Sequence, residues 1–274
     1  MLYGLLFLYN TLVFQNQTNL AVMKKTVAKI LFCAMFVSTI LLQGCKKQNA
    51  TLNLPQLADY YPMQSGKVLI YREDSTHLDV TAMVLLVNSY LIKDSIGTVF
   101  NDNTGRPSYP IYRFITDTLS SAPWQALYTY YVTATTNNVE VVDDNNLRFI
   151  KLVEPLTDSF TWNGNSHIDT KSATSPYQYM DGWNYIYRSV NMPFTVLEGN
   201  IDSTVTILQD DNTSPPGPFD ATNYQQRIYS LEVYGKGIGL IYKNFLYWTW
   251  QPQPPPAQYQ TDSYGIVLNL ISVQ

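Results

Sequence analysis

The side chains in this sequence that are best suited to chemistry are carboxylates. A glycoside hydrolase needs only two acids, and their spacing in the sequence does not reveal their separation in space. The chain has five glutamates, which are Glu73, Glu140, Glu154, Glu198 and Glu232. Glu154 stands before a proline, and Glu232 lies in a strand pattern that is followed by Gly235 and Gly237, so these two are the first candidates for a catalytic pair. A solvent-facing charge at a strand edge is the alternative interpretation of each.

Other catalytic patterns are missing from the sequence. The two histidines, His77 and His167, lie in polar, turn-like segments, with no G-x-S-x-G nucleophile elbow and no H-E-x-x-H pair. Acidic turns such as Asp143-Asp144 lack the spacing of an EF-hand, and hydrogen bonds from Asp to its own backbone explain such turns without calcium. We therefore predict no catalytic residue, no metal site and no cofactor, although a carboxylate pair keeps an enzymatic function open.

Cysteine chemistry points to an anchor. Leu42-Gln43-Gly44-Cys45 resembles the bacterial lipobox, in which a signal peptidase cleaves before a cysteine that carries lipid. It follows three lysines (Lys24, Lys25, Lys29) and an apolar run over residues 30–42, which is shorter than the roughly twenty residues of a membrane span. We predict lipidation at Cys45 and membrane attachment through this N-terminal lipid, because two acyl chains give stable anchoring. An ordinary cleaved signal or an uncleaved anchor helix is the alternative.

These features divide the chain into four parts. Residues 1–22 lie upstream of a complete signal and are predicted to be an over-extended N-terminus, with an additional hydrophobic segment as the alternative. Residues 23–44 are the predicted lipoprotein signal peptide, and residues 45–58 are the lipidated cysteine and a polar tether. Residues 59–274 are predicted to form a single β-rich domain, a length that can bury its own core.

The charge of the mature chain limits its partners. All 21 acidic residues follow Cys45, whereas three of the 17 basic residues precede it, so the mature chain has 14 basic residues and a formal charge of −7. An acidic surface argues against nucleic acid and anionic headgroups as partners. The other cysteine, Cys33, lies in the signal, so the mature domain can contain no disulfide.

The pattern of the mature chain is that of strand after strand. Alternating apolar residues and an excess of β-branched and aromatic residues recur at short spacing, and no window of twelve residues has a convincing helical period. We predict a mainly β fold, a large antiparallel sheet arranged as a sandwich or open barrel, with little helix outside the signal peptide. Residues 180–187 are the one place where a helical turn is expected.

Four local features make this prediction specific. Residues 79–93 are expected to form one long strand, and Asn163-Gly164 to form a type I′ turn. Gly235-Lys236-Gly237 is expected to be a hairpin turn with a bulge, because a dinucleotide fingerprint would need a strand–turn–helix setting. The proline-rich stretches over residues 212–218 and 251–256 are expected to be loops.

Aromatic side chains are the candidates for ligand binding. Aromatic residues make up 14% of the chain and charged residues no more than that, so many rings must be half-buried. Tyrosine suits both the rim of a sheet and a binding groove, because one end is apolar and the other polar. The side chains predicted to face a ligand are Trp162, Trp183, Trp248 and Trp250.

Three blocks of the mature chain resemble a family of uncharacterised lipoproteins from Bacteroidetes-type bacteria. They are Asp59-Tyr60-Tyr61-Pro62 leading to Gly66, residues 148–165, and the stretch Gly235-Lys236-Gly237-Ile238-Gly239-Leu240-Ile241-Tyr242-Lys243. The resemblance implies an envelope location and supports the lipid anchor, but the family has no established activity and transfers no catalytic residue. Lys46-Lys47-Gln48-Asn49 replaces the acidic residues that resemble a surface-export signal in those bacteria. This departure favours the periplasmic face of the outer membrane over the surface.

Two functions follow as expectations. The first is a lipid-anchored, non-catalytic binding or scaffold module for a glycan, a lipid or an envelope protein, which should contain an apolar concavity lined by tyrosine and tryptophan. The alternative is a carbohydrate-active hydrolase, which should place two carboxylates across a cleft at roughly 5 to 10 Å.

Overall fold

A computed structural model describes residues 23–26, 29, 55–252 and 258–274. The chain divides into two compact units, Met1–Asn53 and Leu54–Gln274. In the first unit, residues 23–26 and 29 are helical. The predictions for residues 1–22, the signal core, Cys45, most of the tether and residues 253–256 of the second proline-rich stretch lie outside the described residues. In the part of the chain that the structure describes, we find no helix with the length and apolar character needed to cross a membrane.

The second unit is built from antiparallel strands, which confirms the predicted mainly β fold. A short helix, α1, covers Leu57–Tyr60, and a 3-10 turn covers Gln178–Met180. The strands are β1 (Val68–Asp79), β2 (Val84–Ile96), β3 (Phe100–Asn101), β4 (Pro107–Asp117), β5 (Gln125–Ala134), β6 (Asn138–Val142), β7 (Arg148–Val153), β8 (Thr161–Trp162), β9 (Tyr185–Val196), β10 (Gly199–Ser214), β11 (Gln225–Gly235), β12 (Gly239–Gln251), β13 (Gln258–Tyr259) and β14 (Tyr264–Val273).

The strands form a single sheet that is nearly closed and barrel-like. Their order is β7-β6-β5-β4-β2-β1-β14-β12-β11-β10-β9-β8, with β3 beside β4 and β13 beside β12. Two runs of mostly consecutive strands, β1 to β7 and β8 to β12, are therefore joined in the middle by the pairing of β1 with β14. Side chains alternate along each strand, so one set of residues faces the enclosed interior and the other faces out.

Side chains connect the two end strands of the sheet. The Ile150 N–H of β7 donates to the Gly164 carbonyl at 2.8 Å, and the Trp162 indole Nε1 donates to the Ile150 carbonyl at 2.8 Å. The Tyr187 hydroxyl accepts from the Val153 N–H at 2.8 Å and donates to the Val153 carbonyl at 2.7 Å. We call this junction the seam. Because it satisfies backbone groups that an open sheet edge would leave unpaired, it brings the ends of the sheet together.

The long strand expected over residues 79–93 is two strands, so that prediction was wrong. β1 ends at Asp79 and β2 begins at Val84, with Met83 in the left-handed region at φ 58°. The Asp79 carboxylate accepts hydrogen bonds from the N–H groups of Thr81 and Ala82, which stabilises the turn. This extension of β1 also places His77 within a strand rather than in a turn.

The glycine predictions had opposite outcomes. Gly237 and Gly239 have φ values of 74° and 107°, and the register between β11 and β12 shifts beside Tyr234, which confirms a hairpin turn with a bulge. Asn163-Gly164 is not a type I′ turn, because neither residue has a positive φ. A Cβ atom at position 164 would lie 2.3 Å from the ring of Tyr185. Glycine is required there by close packing and not by turn geometry.

Two further predictions need correction. The first proline-rich stretch begins inside β10, which continues to Ser214 because residues 210–214 pair with β11, so the loop starts at Pro215. The helical turn expected over residues 180–187 is a 3-10 turn that ends at Met180, and residues from Tyr185 onward already belong to β9.

Candidate functional site

The interior of the barrel-like sheet contains a cavity of about 330 Å³. Its wall combines apolar side chains with tyrosines and with charged residues that the strands carry inward. The tyrosines are Tyr61, Tyr128, Tyr130, Tyr177, Tyr179, Tyr185, Tyr234 and Tyr264. This size and lining lie at the small end of the range for small-molecule sites. Two groups of interior charges, described next, differ in how completely they are paired.

The closed cluster consists of Asp94 on β2, Arg113 on β4, and Tyr128 and Tyr130 on β5. Asp94 pairs with Arg113 in the register of β2 and β4, and Arg113 with Tyr128 in that of β4 and β5. The Arg113 guanidinium donates to both oxygens of Asp94 at 2.7 and 2.6 Å, and it donates to the Tyr128 hydroxyl at 2.8 Å. Tyr130 donates to Asp94 at 2.9 Å.

This arrangement satisfies a carboxylate that is only 1% exposed. A bidentate pair between arginine and a carboxylate is among the strongest charge-assisted contacts in proteins. The contact with Asp94 holds the pKa of Arg113 well above its usual value, although burial alone would lower it. The closed cluster therefore leaves no charge without a counter-charge.

The open cluster consists of Glu232 on β11, Lys151 on β7, Lys243 on β12 and Tyr234 on β11. Lys151 Nζ lies 2.8 Å from Glu232 Oε1, and the Tyr234 hydroxyl donates to Glu232 Oε2 at 2.7 Å. Lys243 is the register partner of Glu232, yet its Nζ lies 3.9 Å from Glu232 Oε1. One carboxylate thus faces two ammonium groups and makes a short contact with one of them.

The protonation of the open cluster reflects this imbalance. Burial would raise the pKa of Glu232, but the charges of Lys151 and Lys243 outweigh it and lower that pKa. Burial, offset in part by Glu232 and reinforced by Lys151 and Arg113, lowers the pKa of Lys243 to about 8. The side chain of Lys243 is still 31% exposed, because it faces the cavity.

Glu73 is the remaining acid near Lys243. It lies on β1 in the same register row, since Glu73 pairs with Leu268 of β14 and Leu268 pairs with Lys243. Burial is the main reason that the pKa of Glu73 is raised, although Arg113 and Lys243 oppose the shift. No ion pair within 4.0 Å joins Glu73 to Lys243 among the described residues, so Glu73 is a weak counter-charge.

Two uncharged groups in the cavity wall also have unused hydrogen-bonding capacity. Gln209 is 3% exposed; its Oε1 accepts from the Ser230 hydroxyl at 2.7 Å, while its Nε2 has no partner among the described residues. The hydroxyl of Tyr61, a residue that is 8% exposed, makes no hydrogen bond to another described residue. A buried donor without an acceptor costs about 1–3 kcal/mol, so it calls for an explanation.

The rim of the cavity is formed by the β6–β7 loop and by the segment around the 3-10 turn. Asp143, Asp144 and Asn145 contribute from the loop, and Asp143 already accepts hydrogen bonds from the backbone N–H groups of Asn145 and Leu147. Met180 and Trp183 line the cavity and also a second hollow of about 500 Å³, so they form a shared wall.

The four tryptophans predicted to face a ligand do not come together. Trp183 lines the cavity, and its indole donates to the Tyr179 carbonyl at 3.0 Å. Trp162 belongs to the seam, with its ring 4.6 Å from that of Tyr187. Trp248 and Trp250 alternate with the buried residues of β12 and therefore lie on the outer face.

There, Trp248 and Trp250 contact a separate group of rings. Phe219 lies 5.7 Å from Trp248 and 5.5 Å from Trp250, and Tyr259 lies 5.9 and 5.0 Å from the same two rings. The Trp250 indole donates to the Ala221 carbonyl at 3.0 Å. Of the four predicted residues, only Trp183 lines the interior cavity.

The two glutamates selected from the sequence have separate positions. Glu154 accepts hydrogen bonds from the backbone N–H groups of Leu57 and Leu156, so it attaches α1 to the end of β7. Glu232 is buried in the open cluster and lines the cavity, whereas Glu154 is not part of its wall. The geometry does not place these two carboxylates across one cleft. Within the described ranges, no group of three or more His, Cys, Asp or Glu residues is arranged to hold a metal ion.

Apart from Glu232, sequence reasoning missed the charged residues of the interior. Asp94 lies two residues from both Ile92 and Ile96, which are buried, so the alternation of side chains along β2 indicates that Asp94 also points inward. Lys243 precedes the buried Phe245 by one alternation step. The contact between Lys151 and Glu232 had no such sign, because it joins residues that are far apart in the sequence.

Comparisons with known proteins give little further information. No protein-family model and no curated protein matches the chain. A solved structure from Bacteroides fragilis NCTC 9343, described as an exported protein with a YmcC-like fold, aligns with a TM-score of 0.35 and 7% sequence identity. The alignment covers 78% of this chain and 99% of the other.

Proposed function

We propose that the protein is a lipid-anchored lipoprotein of the bacterial cell envelope whose β domain is a non-catalytic binding module. Cys45 is the lipidated residue, and the periplasmic face of the outer membrane is the expected location. The ligand is a lipid or glycan fragment small enough to enter the interior of the sheet. An envelope protein as partner is a weaker alternative, since the candidate binding surface is a concave cavity inside the sheet.

The observation that carries the proposal is the cavity itself. Proteins are packed to nearly crystalline density, so a space of about 330 Å³ between the strands of the sheet is a candidate site for a ligand. Its wall has the composition of a small-molecule site, with mostly apolar and aromatic surface and a few polar groups. Strands form most of the wall, and the β6–β7 loop and the segment around the 3-10 turn form its rim.

A neutral fluorescent amphiphile, N-phenyl-1-naphthylamine, tests the cavity as a binding site. We expect saturable binding by the purified protein, measured as an increase in dye fluorescence. Leu240→Trp should weaken binding at least tenfold, because Leu240 lines the cavity and the larger ring would fill it. Leu246→Trp on the same strand is the matched control, since residue 246 is not in the cavity wall, and it should bind the dye like the parent protein.

Folding of each variant is checked by circular dichroism and thermal unfolding. If Leu240→Trp does not fold, Phe245→Trp at another position of the wall replaces it. The binding proposal is rejected if the parent protein shows no saturable binding, or if cavity and control variants lose affinity equally.

The anchor is tested separately. Cys45→Ser should move the protein from the membrane fraction to the soluble fraction of the envelope and abolish incorporation of labelled palmitate. Cys33→Ser is the control, because that residue lies in the predicted signal, and it should leave both properties unchanged. Membrane association that persists in Cys45→Ser would contradict the lipid anchor.

A further inference from the structure

In the interior part of the cavity wall, the two polar groups considered next are hydrogen-bond donors that lack an acceptor among the described residues. Lys243 makes no hydrogen bond to another described residue, and its contact with Glu232 is 3.9 Å long. Gln209 is only 3% exposed, and its Nε2 group has no hydrogen-bond acceptor among the described residues. The interior acceptors beside these donors are occupied, since Glu232 accepts from Lys151 and Tyr234, and Gln209 Oε1 accepts from the Ser230 hydroxyl. The carboxylates of Asp143 and Asp144 lie at the rim of the cavity.

The register brings these donors to the same part of the interior. Glu232 lies beside Lys243 on one side and Ile207 on the other, and Ser230 and Gln209 lie one alternation step further along β11 and β10. Lys243 and Gln209 are therefore separated by one intervening strand, or about 10 Å between backbones. If a lysine and a glutamine side chain both point into the cavity, one small ligand group between them can contact both.

The charges of the interior also favour a ligand group that accepts hydrogen bonds. Arg113 is neutralised by Asp94 and Lys151 by Glu232, so Lys243 shares the Glu232 carboxylate with Lys151 at the longer distance of 3.9 Å. Glu73 offsets it weakly, since it lies two strands away on β1 and makes no ion pair within 4.0 Å of Lys243 among the described residues. The acids of the rim are solvated or hydrogen-bonded within their own turn, so salt screens their effect on the interior.

We infer that the cavity binds an amphipathic anion, whose single carboxylate or phosphate group is held by Lys243 Nζ and Gln209 Nε2 while its apolar body packs against the tyrosines and Trp183. This inference rests on the proposed binding function and specifies its ligand class. An anion would supply the missing counter-charge to Lys243 and the missing acceptor to Gln209 in one step. The hydroxyl of Tyr61 can add a third hydrogen bond.

The test compares ligands that differ only in the head group. Decanoate, decyl phosphate and 1-decanol are used to displace N-phenyl-1-naphthylamine from the purified protein. At least one of the two anions should displace the dye at a concentration at least tenfold lower than the neutral decanol. The better of the two anions identifies whether the site prefers a carboxylate or a phosphate.

Two variants assign the preference to the proposed residues. Lys243→Met and the near-isosteric Gln209→Glu should each reduce the advantage of the anion over decanol at least fivefold, when each displacement is corrected for the affinity of that variant for the dye. Lys243→Gln replaces Lys243→Met if the latter does not fold. Lys236→Met is the control, since Lys236 is exposed outside the cavity, and it should keep the full preference.

The outcomes separate this inference from the function on which it rests. Failure of the dye to bind overturns the binding function. Dye binding with no advantage for either anion over decanol, or an advantage that persists in Lys243→Met, leaves the binding function in place and overturns the anion site.

Discussion

The two charge clusters inside the sheet are built from the same kinds of residue and yet differ in their state. In the closed cluster, Asp94 and Arg113 meet through two short hydrogen bonds, and each has a tyrosine as a further partner. In the open cluster, one glutamate serves two lysines and leaves Lys243 at 3.9 Å. Buried ionic groups are stable only when they are fully paired. The comparison indicates that the closed cluster is structural, whereas the open cluster has capacity for a ligand.

The choice of cation reinforces the difference. Arginine does not release its proton in proteins, and its planar fork matches a carboxylate. Lysine is a flexible point charge that can become neutral when it is buried. The closed cluster is therefore fixed in charge, and the open cluster can adjust its protonation when its surroundings change.

Removing the anion of the closed cluster should have the largest effect. Asp94→Asn leaves Arg113 charged and buried, and the loss of one partner of such a pair costs about 3–5 kcal/mol in the free energy of unfolding. The measurement is urea unfolding at pH 7. Glu198→Gln, which changes an exposed carboxylate, should alter stability by less than about 0.5 kcal/mol. An equally small effect of Asp94→Asn would show that the closed cluster is not structural.

Removing the anion of the open cluster should cost less. Glu232→Gln leaves two buried lysines, but one of them can release its proton, so we expect a loss of about 2–4 kcal/mol at pH 7. This loss should shrink between pH 7 and pH 9, because deprotonation of lysine becomes easier, whereas the loss for Asp94→Asn should stay constant over that range. Parallel pH profiles for the two variants would contradict the distinction between the clusters.

Removing one tyrosine hydroxyl from each cluster gives a smaller and more symmetrical effect. Tyr128→Phe removes the acceptor of an Arg113 hydrogen bond, and Tyr234→Phe removes a donor to Glu232. Each bond involves a charged partner, so each variant should lose about 1.5–3 kcal/mol in urea unfolding. Tyr224→Phe at an exposed position is the control and should be neutral. A loss near zero in either case would mean that water replaces that hydroxyl.

The smallest expected effect is a pH dependence that belongs to Lys243. Its pKa of about 8 in the folded protein lies below the ordinary value of 10.5, so between these values the unfolded chain binds more protons. The contribution of Lys243, measured as the difference in stability between the parent protein and Lys243→Met, should therefore rise with pH above 8 by about 1 kcal/mol per pH unit. The charged groups that act on Lys243 are Glu232, Lys151, Arg113 and Glu73.

Urea unfolding of the parent protein and of Lys243→Met between pH 7 and pH 9.5 measures this slope. Lys236→Met, compared with Lys243→Met in the same way, should retain it. The range ends at pH 9.5 because the buried tyrosines have raised pKa values, so stability falls again where tyrosines of the unfolded chain ionise. An equal pH dependence of stability in the parent protein and in Lys243→Met would mean that another group titrates.

The sequence predicted the mainly β character of the domain correctly, but it did not predict every turn between neighbouring strands. Alternation and the excess of β-branched and aromatic residues predicted a mainly β fold, which the fourteen strands of the described residues confirm. These patterns missed the turn between β1 and β2, since Val80, Thr81, Ala82 and Met83 include no glycine, proline or asparagine. The left-handed Met83 is held there by the hydrogen bonds of Asp79, which is a local cause that composition does not reveal.

The candidate site was harder to predict than the fold. Trp183 was selected for its amphipathic ring, and it does line the cavity, but the same reasoning selected Trp248 and Trp250 on the outer face. A tryptophan ring has the same properties on either face of the sheet. Only the alternation of side chains along each strand could distinguish the inward tryptophans from the outward ones. The contact of Lys151 with Glu232 depends on how the sheet curls, and that is a property of all the strands together.

The position of β14 determines when the domain can be completed. The last strand in the sequence lies in the middle of the sheet, between β1 and β12. Until its ten residues are available, the two halves of the sheet have no shared ladder, and each half presents an unpaired edge. Such non-local pairing makes folding slow. A chain shortened by those residues would lose its central joint instead of one outer strand, and its two halves would be prone to aggregate through the exposed edges.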